Sequence, residues 1–377
     1  MKSIAIIRSG YSPYGGVESV ALSIIKGLLK RNRKITLLTL TGQKWPVVHD
    51  HFKIVPLGIS RGTRLMKVWA FNRMVNKYLR ANQHSIIFSL DNVTTFTHRH
   101  DGGGTHKTFL KIRRQHENIF SNLFRLISPF HAYLLYLEKK GFENNKLVKV
   151  QCVSTMVFKD IQRDYNLPSD KLCVIPAGIR WQAIQEVFDA REQIAADLRK
   201  AYHIDAKWKS LLFLGSGFER KGLEIAIKGL SFMPDEYHLI IVGKNKISPY
   251  IRISEKFGIA NRVHFLGPQK DGWRFATLCR ALLLPSYYDP FGLVAAEGHA
   301  MGIPVLVSDK TGYMDFVDHG QNGVILQTPM DLVNIKKAFS DLMKLIENPQ
   351  WTPQQLRDHA RQCDDEIVFE RLLKDFF

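Results

Sequence analysis

Three segments near the start of the chain decide the fold: SIAII at residues 3–7, VESVALSIIKGLLKR at 17–31 and KITLLTL at 34–40. The first and third are short and mainly apolar, which is typical of strands buried in a parallel sheet. In the middle segment, apolar residues recur every three or four positions, as in an amphipathic helix. This strand, helix and strand therefore predict an α/β fold with a parallel sheet.

The same alternation restarts in the second half of the chain. Apolar runs predict further strands at 210–215, 237–243, 263–266, 281–284 and 304–307, with a helix at 222–232. A polar, mostly helical stretch at 181–208 separates the two halves. We therefore expect two Rossmann-like, doubly wound domains, at 1–180 and 181–377, with a final helix from about 353 that could cross back. If the two sheets face each other, their carboxyl ends meet at one cleft, where such folds bind ligands.

Charge is distributed unevenly between these halves. Residues 1–180 hold 29 Lys and Arg against 10 Asp and Glu, a net of +19, whereas residues 181–377 hold 24 against 25, a net of −1. The composition as a whole, 45% hydrophobic and 23% charged, is that of an ordinary globular protein. The basic first half indicates an anionic partner: nucleic acid, an acidic lipid surface or a phosphorylated substrate.

Several classes of protein are not indicated. The four cysteines, Cys152, Cys173, Cys279 and Cys363, form no CxxC pair and no spacing typical of zinc ligands. The apolar run before Arg8 is too short for a signal peptide, and the longest nearly apolar stretch, 126–137, is too short to span a membrane. We therefore expect a cytoplasmic protein without disulfides or bound metal.

Two glycine-bearing loops follow predicted strands. The first, GYSPYGGVE at residues 10–18, could bring a backbone close to an anion or could be only a tight turn. The second, GSGFERKG at residues 215–222, carries Arg220 and Lys221. These adjacent cations could neutralise a diphosphate, or they could be a solvated pair that caps the next helix.

The segment YDPFGLVAAEGHAMGIPV at 288–305 favours the first interpretation of the cation pair. A helix beginning here would direct free N–H groups at an anion, and these groups belong to Phe291, Gly292, Leu293 and Val294. Asp289 and Glu297 lie on either side of this helix start, where their carboxylates could accept hydrogen bonds from hydroxyl groups. Anion-binding and hydroxyl-binding groups together predict a sugar-nucleotide site.

These motifs, with VIPAGI at 174–179, resemble in content and order the retaining glycosyltransferases of family 4, which have the GT-B fold. Within that family the chain is most similar to the lipopolysaccharide core glucosyltransferase I group. The resemblance implies that Arg220 and Lys221 bind the donor diphosphate and that Glu297 binds the ribose. The other implied donor contacts are Gly15, Gly16 and Gly215. Asp289 stands where the family usually has glutamate and would touch the hydroxyls of the transferred sugar.

Residues 99–106, RHDGGGTH, resemble an acceptor-side loop of the same enzymes. His98, His100 and Asp101 could instead form a metal site, although the further Asp-His pair that would complete it is missing, or a structural polar cluster. As an active-site loop, the segment would bring Asp101 or His106 to the donor sugar, or to the positive charge that develops at the reacting carbon.

A basic amphipathic stretch follows at 107–127, with apolar residues at spacings of three and four. Its cations are Lys107, Lys111, Arg113, Arg114 and Arg125. Such a helix could lie on an anionic bilayer, or it could be a core helix with a solvated basic face.

Together these features predict a retaining glycosyltransferase that uses no metal or cofactor. The expected donor is UDP-glucose, and the expected acceptor is a lipopolysaccharide core or another lipid-linked glycan. We expect the enzyme to be peripheral on the inner face of the cytoplasmic membrane. Two alternatives remain: a GT-B nucleotide-sugar epimerase or phosphorylase, and a non-catalytic nucleic-acid-binding protein, although no nucleic-acid-binding signature is present.

Overall fold

A computed structural model of the protein describes residues 3–11, 16–116, 128–328 and 330–377. The chain divides into two compact units between Ala177 and Gly178. The last ten residues, Val368–Phe377, return to the first unit, so the second unit ends at Ile367.

The first unit contains a parallel sheet of seven strands. The strands are β1 (Ile4–Ile7), β2 (Ile35–Leu40), β3 (Phe52–Leu57), β4 (Ile86–Ser89), β5 (His98–Asp101), β6 (Lys149–Cys152) and β7 (Leu172–Val174). The helices are α1 (Gly16–Lys30), α2 (Arg64–Ala81), α3 (His106–His116), α4 (Pro129–Phe142) and α5 (Thr155–Tyr165). The strand order is β3-β2-β1-β4-β5-β6-β7, so the winding direction reverses between β1 and β4.

The second unit repeats this plan with six parallel strands. Its strands are β8 (Lys209–Leu214), β9 (Tyr237–Val242), β10 (Val263–Gly267), β11 (Cys279–Leu284), β12 (Val305–Ser308) and β13 (Gly323–Leu326). Its helices are α6 (Trp181–Asp189), α7 (Arg191–Tyr202), α8 (Leu223–Leu230), α9 (Ser248–Lys256), α10 (Leu293–Ala300), α11 (Leu332–Glu347) and α12 (Pro353–Ala360). The order β10-β9-β8-β11-β12-β13 reverses between β8 and β11. The prediction of two doubly wound parallel sheets is therefore confirmed.

Apolar spacing explains how α1 covers the first sheet. Its buried residues Ala21, Ile24, Ile25 and Leu28 recur at spacings of three, one and three, and they pack in one cluster with β1 and β2. No helix in the described part of the chain combines the length and the apolar character needed to cross a membrane.

The end of the chain differs from the single predicted helix over 353–377. α12 ends at Ala360, a short 3-10 turn follows at Arg361–Cys363, and α13 (Asp365–Phe376) runs into the first unit. There Phe369 lies directly over Gly27 of α1, where an added Cβ would come within 2.6 Å of the Phe369 ring. Gly27 therefore permits the close packing of α13 on α1.

The predicted strands are right, but several others carry no clear apolar signal. β5 is made of HRHD and lies buried inside the sheet, although the sequence indicates a loop or a metal site there. All four cysteines are free thiols; Cys152, Cys279 and Cys363 are buried and Cys173 is partly exposed.

We predict that Phe369→Ala lowers the free energy of unfolding of the first unit by about 3–5 kcal/mol, the usual cost of removing a buried aromatic ring. Chemical denaturation followed by tryptophan fluorescence measures this. Glu370→Ala, at a neighbouring side chain that is 57% exposed, should cost less than about 1 kcal/mol. Equal losses in both variants would show that α13 is not part of this core.

Candidate active site

The loop between β8 and α8 has a backbone that only glycine accommodates at two positions. Gly215 has φ +125°, and an added Cβ would lie 2.7 Å from Cε of Lys221. Gly222 has φ +75°, and an added Cβ would lie 2.0 Å from the carbonyl oxygen of Pro285. Gly222 therefore lets this loop pack tightly against the end of β11, where the strand order reverses, and Gly215 leaves room for the Lys221 side chain.

Arg220 and Lys221 meet the carboxylate of Asp289 at this edge of the sheet. Arg220 Nη1 lies 3.2 Å and Lys221 Nζ 3.4 Å from Asp289 Oδ2. Arg220 also donates a 2.7 Å hydrogen bond to the carbonyl of Tyr288. The structure thus brings together three residues predicted for the donor site. Lys221 is only 8% exposed, whereas the Arg220 side chain is 41% exposed, and no described side chain caps α8. Of the alternative of a solvated capping pair, the solvated part therefore holds for Arg220 alone and the capping part does not hold.

Burial and mutual attraction set the charges of this cluster. Burial opposes ionisation of Asp289, but Lys221 and Arg220 outweigh it and hold the pKa of the carboxyl below its usual value. Burial lowers the pKa of Lys221, and Asp289 only partly offsets this. One carboxylate therefore neutralises one of two closely spaced cations, and a positive charge remains for an anionic ligand.

The helix that begins beside this cluster is α10. Gly292 precedes it with φ +91°, and no described side chain caps its first turn. Leu293 and Val294 are partly exposed, whereas the ring of Phe291 is 3% exposed and packs against Tyr313. The first N–H groups of a helix have no partner within it, so Leu293 and Val294 could donate to an anion. Phe291 could contribute only backbone atoms.

Glu297 lies on α10, one turn further along, and is half-buried. Burial raises the pKa of its carboxyl to about 7, against the opposing effects of Arg180 and Lys221. A carboxyl group with this pKa changes its charge close to neutral pH. The sequence predicts the position of Glu297 but gives no sign of this shift.

The first unit has its own polar cluster at the carboxyl ends of β1 and β4, where the strand order reverses. Arg8, directly after β1, forms ion pairs with Glu18 at 2.9 Å and Asp91 at 2.6 Å. Asp91 also accepts the backbone N–H of Ser9. Gly16, predicted to approach the phosphates, is the first residue of α1, whereas Gly15 lies outside the described residues.

The first three residues of the predicted active-site loop 99–106 are not in a loop, because they belong to strand β5, His98–Asp101. Side chains alternate along a strand, so Arg99 and Asp101 share one face, with Arg99 Nε 3.3 Å from Asp101 Oδ2. On the other face, His100 Nδ1 lies 2.7 Å from Gln151 Oε1. Asp101 is 1% exposed, and the loop is reduced to residues 102–105.

His106, the first residue of α3, lies beside a second histidine. Its Nε2 is 3.1 Å from Nδ1 of His131. Burial, with a smaller effect of His131, lowers the pKa of His106 to about 4. The ring is therefore neutral at pH 7 and can exchange hydrogen bonds, but it cannot supply a positive charge. Among the described residues, no three His, Cys, Asp or Glu side chains are grouped as metal ligands.

Glu138 is a residue of this region that the sequence does not reveal. It is fully buried on α4 and accepts the N–H of His106 at 2.7 Å, as well as the hydroxyl of Tyr165. It therefore holds the start of α3 from 32 residues away. In the sequence YLEKK it looks like a solvated helix charge, and Asp91 is equally inconspicuous in LDNV.

The basic amphipathic stretch is described only in part. α3 covers His106–His116, and residues 117–127 lie outside the described residues. Because half of the stretch lies outside the described residues, the structure does not decide whether the apolar face of 107–127 contacts a membrane or the protein core.

Both units match known protein families. Residues 14–181 match the Glycosyltransferase Family 4 model, and residues 195–362 match the model for glycosyl transferases group 1. The chain belongs to the GT-B glycosyltransferases. The two matches follow the order of the two doubly wound units, and together they confirm the family that the motifs resemble.

Individual relatives agree with this family. Lipopolysaccharide glucosyltransferase WaaG of Escherichia coli is 27% identical over 223 residues, and this aligned region spans only 58% of either chain. The crystal structure of WaaG has the same fold, with a TM-score of 0.80 and 19% identity over 99% of both chains. The structure of Anabaena Alr3699/HepE in complex with UDP-glucose is also similar, with a TM-score of 0.70 and 16% identity over 99% of both chains.

We predict that the stability of Glu297→Gln, compared with that of wild type at the same pH, increases as the pH rises from 5 to 8. A raised pKa means that stability is lost as the pH passes through about 7, because the folded state must then release a proton that it holds more tightly than the unfolded state does. Glutamine stays neutral over this pH range, so the variant does not lose stability in this way. Thermal unfolding at several pH values measures the difference.

Asp289→Asn is the matched control for this titration. The pKa of Asp289 is lowered, so its contribution is present above the unfolded pKa and disappears only in acid. This variant should be less stable than wild type over the whole range from pH 5 to 8. A difference between wild type and Glu297→Gln that does not change with pH would contradict the raised pKa.

Proposed function

We propose that this protein transfers a hexose, with retention of configuration, from a nucleotide sugar to a lipopolysaccharide core or another lipid-linked glycan. The proposed donor is UDP-glucose. The observation that carries the proposal is the pair Arg220 and Lys221, held by Asp289 at the carboxyl edge of the second sheet. A nucleoside diphosphate is the leaving group that such a pair of cations suits.

The second unit would bind the donor in parts. Arg220, Lys221 and the N–H groups at the start of α10 would hold the diphosphate, and Gly215 leaves room for the backbone to approach it closely. Glu297 would accept hydrogen bonds from the ribose hydroxyls. Asp289 would accept hydrogen bonds from the hydroxyls of the transferred sugar, and the arriving diphosphate would replace it as the partner of the two cations.

Chemistry then depends on stabilising the leaving diphosphate. As the bond from the sugar carbon to the phosphate oxygen breaks, negative charge grows on that oxygen, and Arg220 and Lys221 already lie where it grows. The departing diphosphate would accept the proton of the acceptor hydroxyl on the same face of the sugar. His106 is neutral and would orient the sugar through hydrogen bonds. Asp101, the last residue of β5, is the alternative residue for this role.

Two relatives support this choice of substrates. WaaG is named as a lipopolysaccharide glucosyltransferase, and Alr3699/HepE has been crystallised with UDP-glucose. The chain shares the family of the first and the fold of the second. Neither relationship favours an epimerase, a phosphorylase or a nucleic-acid-binding protein.

We predict transfer of labelled glucose from UDP-glucose to purified lipopolysaccharide, with the α configuration of the donor retained in the product. Transfer should proceed in EDTA at the rate seen with Mg²⁺, because protein cations and a helix start supply the charge that a metal would otherwise provide. Product NMR and a radiolabel assay measure both results. Loss of activity in EDTA with recovery in Mn²⁺ would overturn the metal-independent mechanism.

Removing either cation of the proposed diphosphate site should slow turnover strongly. We predict that Arg220→Ala and Lys221→Ala each lower kcat by about 10²-fold or more, since removal of one preorganised charge or donor costs roughly 3–4 kcal/mol in the transition state. Lys246→Ala, at an exposed lysine of the same unit, is the control and should keep its kcat. A folded double variant with a normal kcat would exclude the assignment.

We also propose that the enzyme is peripheral on the inner face of the cytoplasmic membrane and attaches through the basic stretch at 107–127. Each cation near an anionic surface contributes about 1 kcal/mol, and this attraction is screened by salt. The protein should therefore sediment with anionic vesicles at low salt and detach by about 0.5 M salt, where the Debye length is below ~5 Å.

The variant Lys111→Gln/Arg113→Gln/Arg114→Gln should lose most of this vesicle binding and still use a soluble acceptor. Binding to neutral vesicles measures the part of the attachment that does not depend on charge. Normal binding by a folded triple variant would exclude this stretch as the membrane contact.

A further inference from the structure

A polar groove in the first unit lies apart from every residue discussed so far. It has a volume of about 510 Å³ and lies between α2, the turn at Thr94 and Thr95, and the end of α4. Four of its ten lining residues are asparagines, and Tyr136 is the one aromatic among these ten. A wall of amides and hydroxyls suits a ligand rich in hydroxyl groups rather than an apolar one.

The groove lies towards the amino ends of the strands. Arg80 lies in the last turn of α2, shortly before β4 begins, and Asn144 and Asn145 come just before β6. The four-residue strands β4 and β6 are each roughly 10–13 Å long, and the carboxyl edge with Arg8 and Asp91 lies at their other end. A ligand in this groove is therefore separated from that edge by about the length of a strand.

The floor of the groove is fixed by a chain of hydrogen bonds. Asn72 Oδ1 accepts the backbone N–H of Thr94 at 3.0 Å and the Thr94 hydroxyl at 3.2 Å. Because the Thr94 hydroxyl donates its only proton to Asn72, its oxygen can only accept in its second hydrogen bond. Its donor is Asn76 Nδ2, at 2.7 Å. The amide nitrogen of Asn76 therefore points at Thr94, and the amide oxygen of Asn76 points away from it.

The amide oxygen of Asn76 has no hydrogen-bond donor among the described residues, although it is buried. An unpaired buried acceptor costs about 1–3 kcal/mol. This oxygen is almost completely shielded from solvent, so a ligand hydroxyl can provide the missing donor only when the Asn76 side chain turns towards the groove.

The rim of the groove carries charge and an aromatic face. Arg80 is exposed and forms no ion pair with any described residue, whereas Lys140 is 3.1 Å from Glu143. Tyr136 is 52% exposed, with its ring 5.9 Å from that of Tyr133. Arg80 can bind a phosphate, and the open face of Tyr136 can cover the apolar side of a pyranose ring.

We propose that this groove binds a phosphorylated oligosaccharide, as a second saccharide site away from the carboxyl edge. This inference rests on the proposed function, because a phosphorylated core glycan would be the acceptor. A hydroxyl of the saccharide donates to Asn76 Oδ1, its phosphate pairs with Arg80, and one sugar ring packs on Tyr136. The groove thus recognises a part of the acceptor other than the reacting hydroxyl.

Calorimetry tests the site with a phosphorylated oligosaccharide released from bacterial lipopolysaccharide, the same saccharide after phosphatase treatment, and inorganic phosphate. Asn76→Ala and Arg80→Gln should each weaken binding of the phosphorylated form about 5- to 10-fold. Phosphatase treatment should weaken binding to wild type and remove the difference between wild type and Arg80→Gln. Inorganic phosphate should compete poorly, because it lacks the hydroxyls.

Lys77→Gln is the matched control, since Lys77 is an exposed cation on the same helix, and it should change affinity less than 2-fold. UDP binding should be unchanged in all three variants, which separates this site from the donor site. Unchanged saccharide affinity in folded Arg80→Gln and Asn76→Ala would overturn the proposal, as would an equal loss in Lys77→Gln. If glucose transfer is absent but Asn76→Ala and Arg80→Gln still weaken saccharide binding, the proposed function is wrong and the proposed saccharide site in the groove is supported.

Discussion

One buried carboxylate organises the second unit. Asp289 lies against Arg220 and Lys221, two neighbouring cations that would otherwise repel each other in a partly dehydrated place. Their attraction joins the loop after β8 to the segment before α10, and Gly222 lets these two pieces of chain touch. This edge is therefore suited to an anion, because two positive charges are kept close to a single negative one.

Local motifs predict this part of the protein well. Glycines with positive φ, a pair of cations and a helix start lie within short segments, so the sequence shows them together. The partner that holds the cations is 69 residues away from Arg220, and only the parallel sheet brings it near. A motif can thus be recognised from the sequence, whereas the charge state that results from it depends on the fold.

The errors of prediction lie in the first unit, where polar residues are buried. β5 has the sequence HRHD; Arg99 donates to Asn92 and pairs with Asp101, and His100 is hydrogen-bonded to Gln151. No periodicity of apolar residues marks such a strand, because its burial depends on partners from distant segments. The burial of Glu138 cannot be predicted for the same reason, because the group that it binds, the N–H of His106 at the start of α3, is distant in the sequence.

The return of α13 to the first unit has a consequence for how the protein is made. Val368, Phe369, Leu372 and Phe376 belong to the same apolar cluster as β1 and α1. The ribosome adds roughly 5–20 residues per second, so the 200 residues that follow Ala177 take about 10–40 s. Throughout that time the first unit lacks part of its core, and it can finish folding only after the second unit has been synthesised.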